Sequence, residues 1–152
     1  MEMPVSSLPA TERFVVWAAR VWITAHCEGQ MPCRRLQDMF HHLQLQDCLG
    51  PFYSLLSLLM NEGSRDLDFR CPCCRSLGED ERKMVTLFAA FQQGATQVAE
   101  VVLENWMPPQ ASQRAAYPAR LVAHCMAENG QLLGRLAIPH TVTPPAVQHA
   151  LH

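Results

Sequence analysis

Basic residues are scarce in this chain of 152 residues. Twelve Lys and Arg residues face 14 Asp and Glu, which gives a net charge of -2 with histidine neutral, and Lys83 is the single lysine. A protein that binds nucleic acid through bulk electrostatics needs a surplus of basic side chains to neutralise phosphates. The composition therefore argues against nucleic acid as a partner, and against a transcription factor that carries a helix-turn-helix.

Long apolar runs are also missing. The best apolar stretch, FVVWAARVWITA at 14–25, contains Arg20 in its middle and is too short to cross a bilayer. The first ten residues, MEMPVSSLPA, have neither the basic region nor the apolar region of a secretion signal. We therefore expect a cytoplasmic protein that has no membrane partner.

The common catalytic motifs do not occur. The sequence has no glycine-rich phosphate loop, no H-E-x-x-H and no G-x-S-x-G. Residues Glu79, Asp80 and Glu81 resemble paired carboxylates for acid–base work, but acids in the first turn of a helix are better explained as complements of the helix dipole. These observations leave an enzymatic function undecided and do not favour one.

The fold class follows from composition and periodicity. Hydrophobic residues make up 49% and charged residues 17% of the chain, as in a globular domain, and no segment alternates with the period of a strand. Three-and-four spacing of apolar residues predicts an all-α, single-domain bundle of five or six helices. We predict an N-terminal arm at 1–10, a helical domain at 11–130 and a proline-rich C-terminal tail at 131–152. Within the domain, helices are predicted at 11–27, 33–49, 52–61, from a Ser76-x-x-Glu79 capping box onward, 95–106 and 113–129.

Two of these helix boundaries depend on proline. Gly50-Pro51 is interpreted as the stop between the second and third helices. Pro118 is expected near the first turn of the last helix, where a missing N–H costs nothing.

Seven cysteines is an odd number, which is unusual for a secreted disulfide scaffold. A reducing compartment is therefore expected, with thiols that are free, buried or bound to metal. Four cysteines lie in or near predicted helices and are interpreted as buried side chains that fill space: Cys27, Cys33, Cys48 and Cys125.

The remaining three cysteines lie close together in FRCPCCRSLGEDER, residues 69–82, and are the candidate metal ligands: Cys71, Cys73 and Cys74. Cys71 and Cys74 have the C-x2-C spacing that lets two sulfurs bind one tetrahedral zinc ion, and Cys73 could replace Cys74. Arg70, Arg75 and the following helix N-terminus favour thiolates. No second pair of this spacing follows, so further ligands would come from distant positions: Cys33, Cys48, His41, His42, His26-Cys27 or His124-Cys125.

Several functions fit this cysteine cluster. The first is a non-enzymatic helical protein in which a structural or sensory zinc site supports contact with a protein partner, a homodimer included; an iron–sulfur cluster is a variant. The alternative is a thiol-based redox protein that uses the C-x-x-C pair. Unliganded thiols at this loop are as consistent with the sequence as bound metal.

Overall fold

Six α-helices follow one another in the computed structural model, which describes residues 2–134. A single 3₁₀ turn, Val5–Ser7, precedes them, and no strand occurs between residues 2 and 134. The helices are α1 (Ala10–Cys27), α2 (Arg34–His42), α3 (Gln46–Glu62), α4 (Glu79–Gln92), α5 (Thr96–Trp106) and α6 (Pro109–Glu128). The all-α bundle in a single domain is confirmed.

The core lies where α4 and α6 meet the other helices. Helix α6 packs against α3, α4 and α5, while α4 also contacts α1 and α5. The apolar residues of α1 face several neighbours at once, which is why this helix is apolar nearly all round. Its Trp22 and the Phe88 of α4 are among the largest fully buried side chains.

The boundary between α2 and α3 differs from the prediction. Gly50-Pro51 does not end a helix, because both residues lie inside α3. The chain turns earlier, at Leu43–Leu45, where Gln44 adopts a left-handed φ of 60°. Continuing α3 through Pro51 costs one backbone hydrogen bond in an exposed turn, but it places on one buried face Cys48, Phe52, Leu55, Leu56 and Leu59.

Pro118 was also placed wrongly by the sequence pattern. Helix α6 begins at Pro109, so Pro118 lies in its middle rather than in its first turn. The ring of Pro118 is buried, and the carbonyl that loses its partner belongs to the exposed Arg114. Burial of the ring compensates for the missing hydrogen bond.

Two cysteines that were interpreted as free side chains are joined. Cys48 of α3 and Cys125 of α6 form a disulfide, with their Cα atoms 5.8 Å apart. Cys33 is free and buried as expected, whereas Cys27 is free but exposed. The disulfide links the two helices across 77 residues of sequence.

The length and apolar character of the helices bear on whether the chain can cross a membrane. In the part of the chain that the structure describes, no helix combines the length and the apolar character that a membrane span requires.

Candidate functional site

The predicted metal ligands lie in the connection between α3 and α4, and we call residues 69–78 the cysteine loop. Arg20, in the middle of α1, is 3% exposed and Glu81, in the first turn of α4, is 0% exposed. The Arg20 Nε and Nη2 atoms donate to the two carboxylate oxygens of Glu81 at 2.6 and 2.8 Å. The same guanidinium donates to the carbonyl oxygens of Cys74 and Ser76 at 2.7 and 2.8 Å. One buried cation therefore holds the second half of the loop.

Glu81 holds the two ends of the loop. It accepts hydrogen bonds from the backbone N–H of Arg70 at 2.7 Å and of Gly78 at 2.8 Å. The predicted Ser76–Glu79 capping box is therefore wrong: the N-cap residue is Gly78, and Glu81 takes the position expected for Glu79. Only glycine fits at 78, because a Cβ there would collide with the backbone oxygen of Asp68.

A second buried carboxylate, Asp80, fixes the segment before the loop. It accepts hydrogen bonds from the Arg65 guanidinium at 2.7 and 3.1 Å, from the Asp68 N–H at 2.6 Å and from the Trp106 indole at 2.9 Å. Burial alone would raise the pKa of Asp80, but these hydrogen bonds outweigh it and lower that pKa to about 2. Asp80 and Glu81 are thus anchors of the loop, beyond the dipole role that the sequence suggested.

The lowered pKa predicts how stability depends on pH. Because the folded protein holds Asp80 ionised below its ordinary pKa of 3.8, this stabilisation is complete above about pH 5 and is lost as the pH falls towards 2. We expect the stability difference between wild type and Asp80→Asn to shrink by about 2 kcal/mol over that range. Urea unfolding at both pH values measures it, with exposed Asp47→Asn as the matched control. An unchanged difference would contradict the assignment.

The N-terminal arm covers the outer edge of the loop. Pro4 and Ser76 form an isolated antiparallel bridge, in which the Val5 N–H donates to the Arg75 carbonyl and the Leu77 N–H donates to the Met3 carbonyl, each at 2.8 Å. The loop backbone is therefore held from both sides.

Arg70 is held mainly by carboxylates, although its Nη1 also donates to the Ser76 hydroxyl, which lies 3.5 Å from the Cys74 sulfur. Its guanidinium donates to both carboxylate oxygens of Asp68, at 3.0 and 3.1 Å, and to Glu2 at 2.9 Å. Arg75 is exposed and forms no ion pair within residues 2–134. Of the two arginines that flank the cysteines in sequence, Arg70 thus lowers the pKa of the Cys74 thiol, though less than Arg20 does, and Arg75 forms no ion pair near it within residues 2–134.

The sulfurs that approach each other are those of Cys71 and Cys73. Their Sγ atoms lie 3.6 Å apart, and both side chains are exposed. A turn in which the Cys74 N–H donates to the Cys71 carbonyl at 3.0 Å produces this arrangement. The sequence had emphasised the pair Cys71 and Cys74 instead.

Cys74 contacts Ser76 and is not hydrogen-bonded to that pair. Its sulfur lies 3.5 Å from the Ser76 hydroxyl and 3.7 Å from the Ser76 carbonyl oxygen. Hydrogen bonds with Ser76 lower the pKa of the Cys74 thiol, and the charge of Arg20 and a hydrogen bond with Arg70 act in the same direction. The pKa of Cys73 is raised, first by its hydrogen bond with Cys71 and then by the charge of that neighbour.

The distant ligand candidates do not join the loop. Among residues 2–134, no group of three or more His, Cys, Asp or Glu side chains has the geometry to hold a metal ion. The sulfurs of Cys48 and Cys125 are joined in their disulfide, and Cys33 is buried. The predicted C-terminal tail is residues 131–152, and its residues from 135 onward lie outside the described part of the chain.

The chain was compared with known proteins by sequence and by structure. No family model, no curated protein and no solved structure matches it.

Proposed function

We propose that Cys71 and Cys73 bind one thiophilic metal ion, zinc in the first instance, and that the protein acts through contact with another protein at this site. One observation carries the proposal: the 3.6 Å separation of the two Sγ atoms. Two thiolates on one tetrahedral zinc ion, each at about 2.3 Å, are about 3.8 Å apart. The two sulfurs thus need little movement to take up one edge of a zinc tetrahedron.

The anchoring of the loop supports the same reading. The backbone on the two sides of the sulfur pair is bonded to Glu81, Arg20 and the N-terminal arm. A loop that is already ordered loses little conformational entropy when it binds an ion. The loop is therefore suited to hold ligands in place before metal arrives.

The partner half of the proposal follows from the number of ligands. Structural zinc sites are closed by four protein ligands, whereas Cys71 and Cys73 supply two. Both cysteines and the intervening Pro72 are exposed, so a second chain can reach the ion. Two copies of this loop would supply four thiolates, which makes a homodimer the simplest such contact.

The proposed metal site is tested by measuring zinc binding. We expect the full-length protein to bind zinc in competition with a metallochromic indicator, and Cys71→Ser with Cys73→Ser to bind at least about tenfold more weakly. Cys27→Ser removes an exposed free cysteine outside the loop and is the matched control. Equal zinc binding by all three proteins would reject the site.

The partner half has a separate readout. We expect sedimentation velocity to show a larger species when zinc is added and the monomer when it is chelated. In one outcome, zinc binds through Cys71 and Cys73 while the protein stays monomeric and captures no other chain. That result would reject the proposed protein contact and leave the proposed metal site in place.

A thiol redox function is the second candidate, favoured by the lowered pKa of Cys74 and by the short Cys71–Cys73 distance. One thiolate would attack a disulfide R–S–S–R and release one thiol; a second loop cysteine would displace the other, so the pair is oxidised and the substrate reduced. Intact mass after treatment with oxidised glutathione decides this. A loss of two hydrogens that maps to this loop supports it, and stable glutathione adducts without a loop disulfide reject it.

A further inference from the structure

Helices α1 and α2 meet along a surface that the proposed site does not use. Phe14 of α1 packs against the buried Phe40 of α2 and against Trp17, with ring centroids 5.1 and 6.2 Å apart. Phe14 and Trp17 are half-buried. The guanidinium carbon of Arg35 lies 5.9 Å from the centroid of the Trp17 ring, and Met39, one helical turn after Arg35, is 37% exposed. We call the surface formed by Phe14, Trp17 and Met39 the aromatic face.

Arginines surround the aromatic face. Arg13 lies one turn before Trp17 on α1, and Arg34 and Arg35 begin α2. These three arginines are exposed, and none of them forms an ion pair within residues 2–134. The one exposed acidic side chain of the two helices is that of Asp38. The surface is therefore net positive, although the chain as a whole has a net charge of -2.

The stability of α2 does not explain its two arginines. Arg34 and Arg35 occupy the first turn, where the helix dipole disfavours positive charge, and that turn contains no acidic residue. The contact with the Trp17 ring gives Arg35 one favourable interaction. Both guanidinium groups still lack a carboxylate partner among the described residues. A partner that supplies carboxylates would complement this charge.

We infer that the aromatic face binds an amphipathic helix of a protein partner, in which acidic side chains flank an apolar stripe. The apolar stripe covers Phe14, Trp17 and Met39, and the carboxylates pair with Arg13 and Arg35. Aromatic residues, methionine and arginine are enriched where proteins meet, and tryptophan and arginine often dominate the affinity. A helix that lays its apolar side into a groove is a recurrent mode of recognition. This inference does not depend on metal or redox chemistry at the cysteine loop.

Three synthetic helical peptides of equal length test it on the full-length protein, with a chelator present to exclude contact through zinc. The first combines leucine with glutamate, the second leucine with lysine, and the third alanine with glutamate. Binding is followed by the indole N–H signals of the three tryptophans. We expect the leucine–glutamate peptide to bind and to shift the signal of Trp17, while the signals of the buried Trp22 and Trp106 stay in place. The other two peptides should bind at least about tenfold more weakly.

Arg13→Gln with Arg35→Gln supplies the variant test. It removes two exposed charges, keeps the apolar side chains, and is expected to weaken the binding of the leucine–glutamate peptide about tenfold. Arg82→Gln with Arg120→Gln is the matched control, because both residues are exposed and Arg120 lies over an aromatic ring as Arg35 does. Equal affinity of the two double variants would overturn the inference. If the first variant does not fold by circular dichroism, the three peptides on wild type decide.

Other occupants of the aromatic face give different results. No binding of the leucine–glutamate peptide, equal binding of either other peptide, or binding that leaves the Trp17 signal unchanged would overturn the inference. A Trp17 signal that shifts with protein concentration alone would also overturn it, because a second copy of the chain would then cover the face. So would a signal that shifts with vesicles containing phosphatidylserine and not with the peptide, because the face would then contact a membrane.

Discussion

Glu81→Gln is expected to lower the free energy of unfolding by about 3 to 5 kcal/mol. The change removes the charge that faces Arg20, whose side chain is 3% exposed, and leaves a buried guanidinium without its counter-ion. It also disturbs the acceptor of the Arg70 and Gly78 backbone N–H groups. Removing one partner of a buried ion pair costs far more than the pair itself contributes, because the remaining charge stays desolvated.

The same substitution at an exposed ion pair is the control. Glu62 pairs with Arg114 on the surface, where the two side chains are 36% and 56% exposed. Glu62→Gln is therefore expected to change stability by less than about 1 kcal/mol. Denaturant unfolding of both variants at neutral pH measures the difference. Similar losses at positions 62 and 81 would mean that the Arg20–Glu81 pair does not anchor the loop.

Loss of the Cys48–Cys125 disulfide is expected to have an effect of similar size. The bridge closes a loop of 77 residues, and the loss of unfolded-state entropy on closing such a loop corresponds to about 4.5 kcal/mol. We expect Cys48→Ala with Cys125→Ala to lower the free energy of unfolding by about that amount. The α3–α6 contact itself remains, so the fold should persist with lower stability.

Reductant provides the internal control for this prediction. Wild type unfolded under reducing conditions should match the double variant, while the variant should not respond to reductant. A wild-type unfolding curve that is identical with and without reductant would show that the two sulfurs are not bonded. A stabilising disulfide is more typical of an oxidising compartment than of the reducing one expected from the odd cysteine count, and the cytoplasmic location stays a prediction.

Local signals predicted the helices better than the breaks between them. Helices α1 and α5 follow from apolar spacing, and their ends lie within one residue of the predicted bounds. Pro51 and Pro118 were misjudged because the burial of a whole helix face outweighs one missing backbone hydrogen bond. That comparison depends on tertiary packing, which spacing along the chain does not contain.

The sequence predicted the location of the candidate site. It did not predict the buried residues that hold the cysteine loop in place. Three cysteines in four residues identified the loop, whereas Arg20 lies 61 residues from Glu81 and no local pattern joins them. One feature of the sequence could have indicated this ion pair. A charged residue inside a helix that is apolar nearly all round must be paired when it is buried. The choice of Cys71 with Cys73, in place of Cys74, depends on the turn that the loop adopts, which the spacing alone does not determine.

X-ray absorption at the zinc edge shows whether the cysteine loop holds the ion, because it reports the atoms bound to zinc. For the zinc-loaded protein we expect sulfur neighbours at about 2.3 Å, absent from Cys71→Ser with Cys73→Ser and retained in Cys27→Ser. A first shell of oxygen and nitrogen alone, or sulfur neighbours that survive the double substitution, would contradict this expectation.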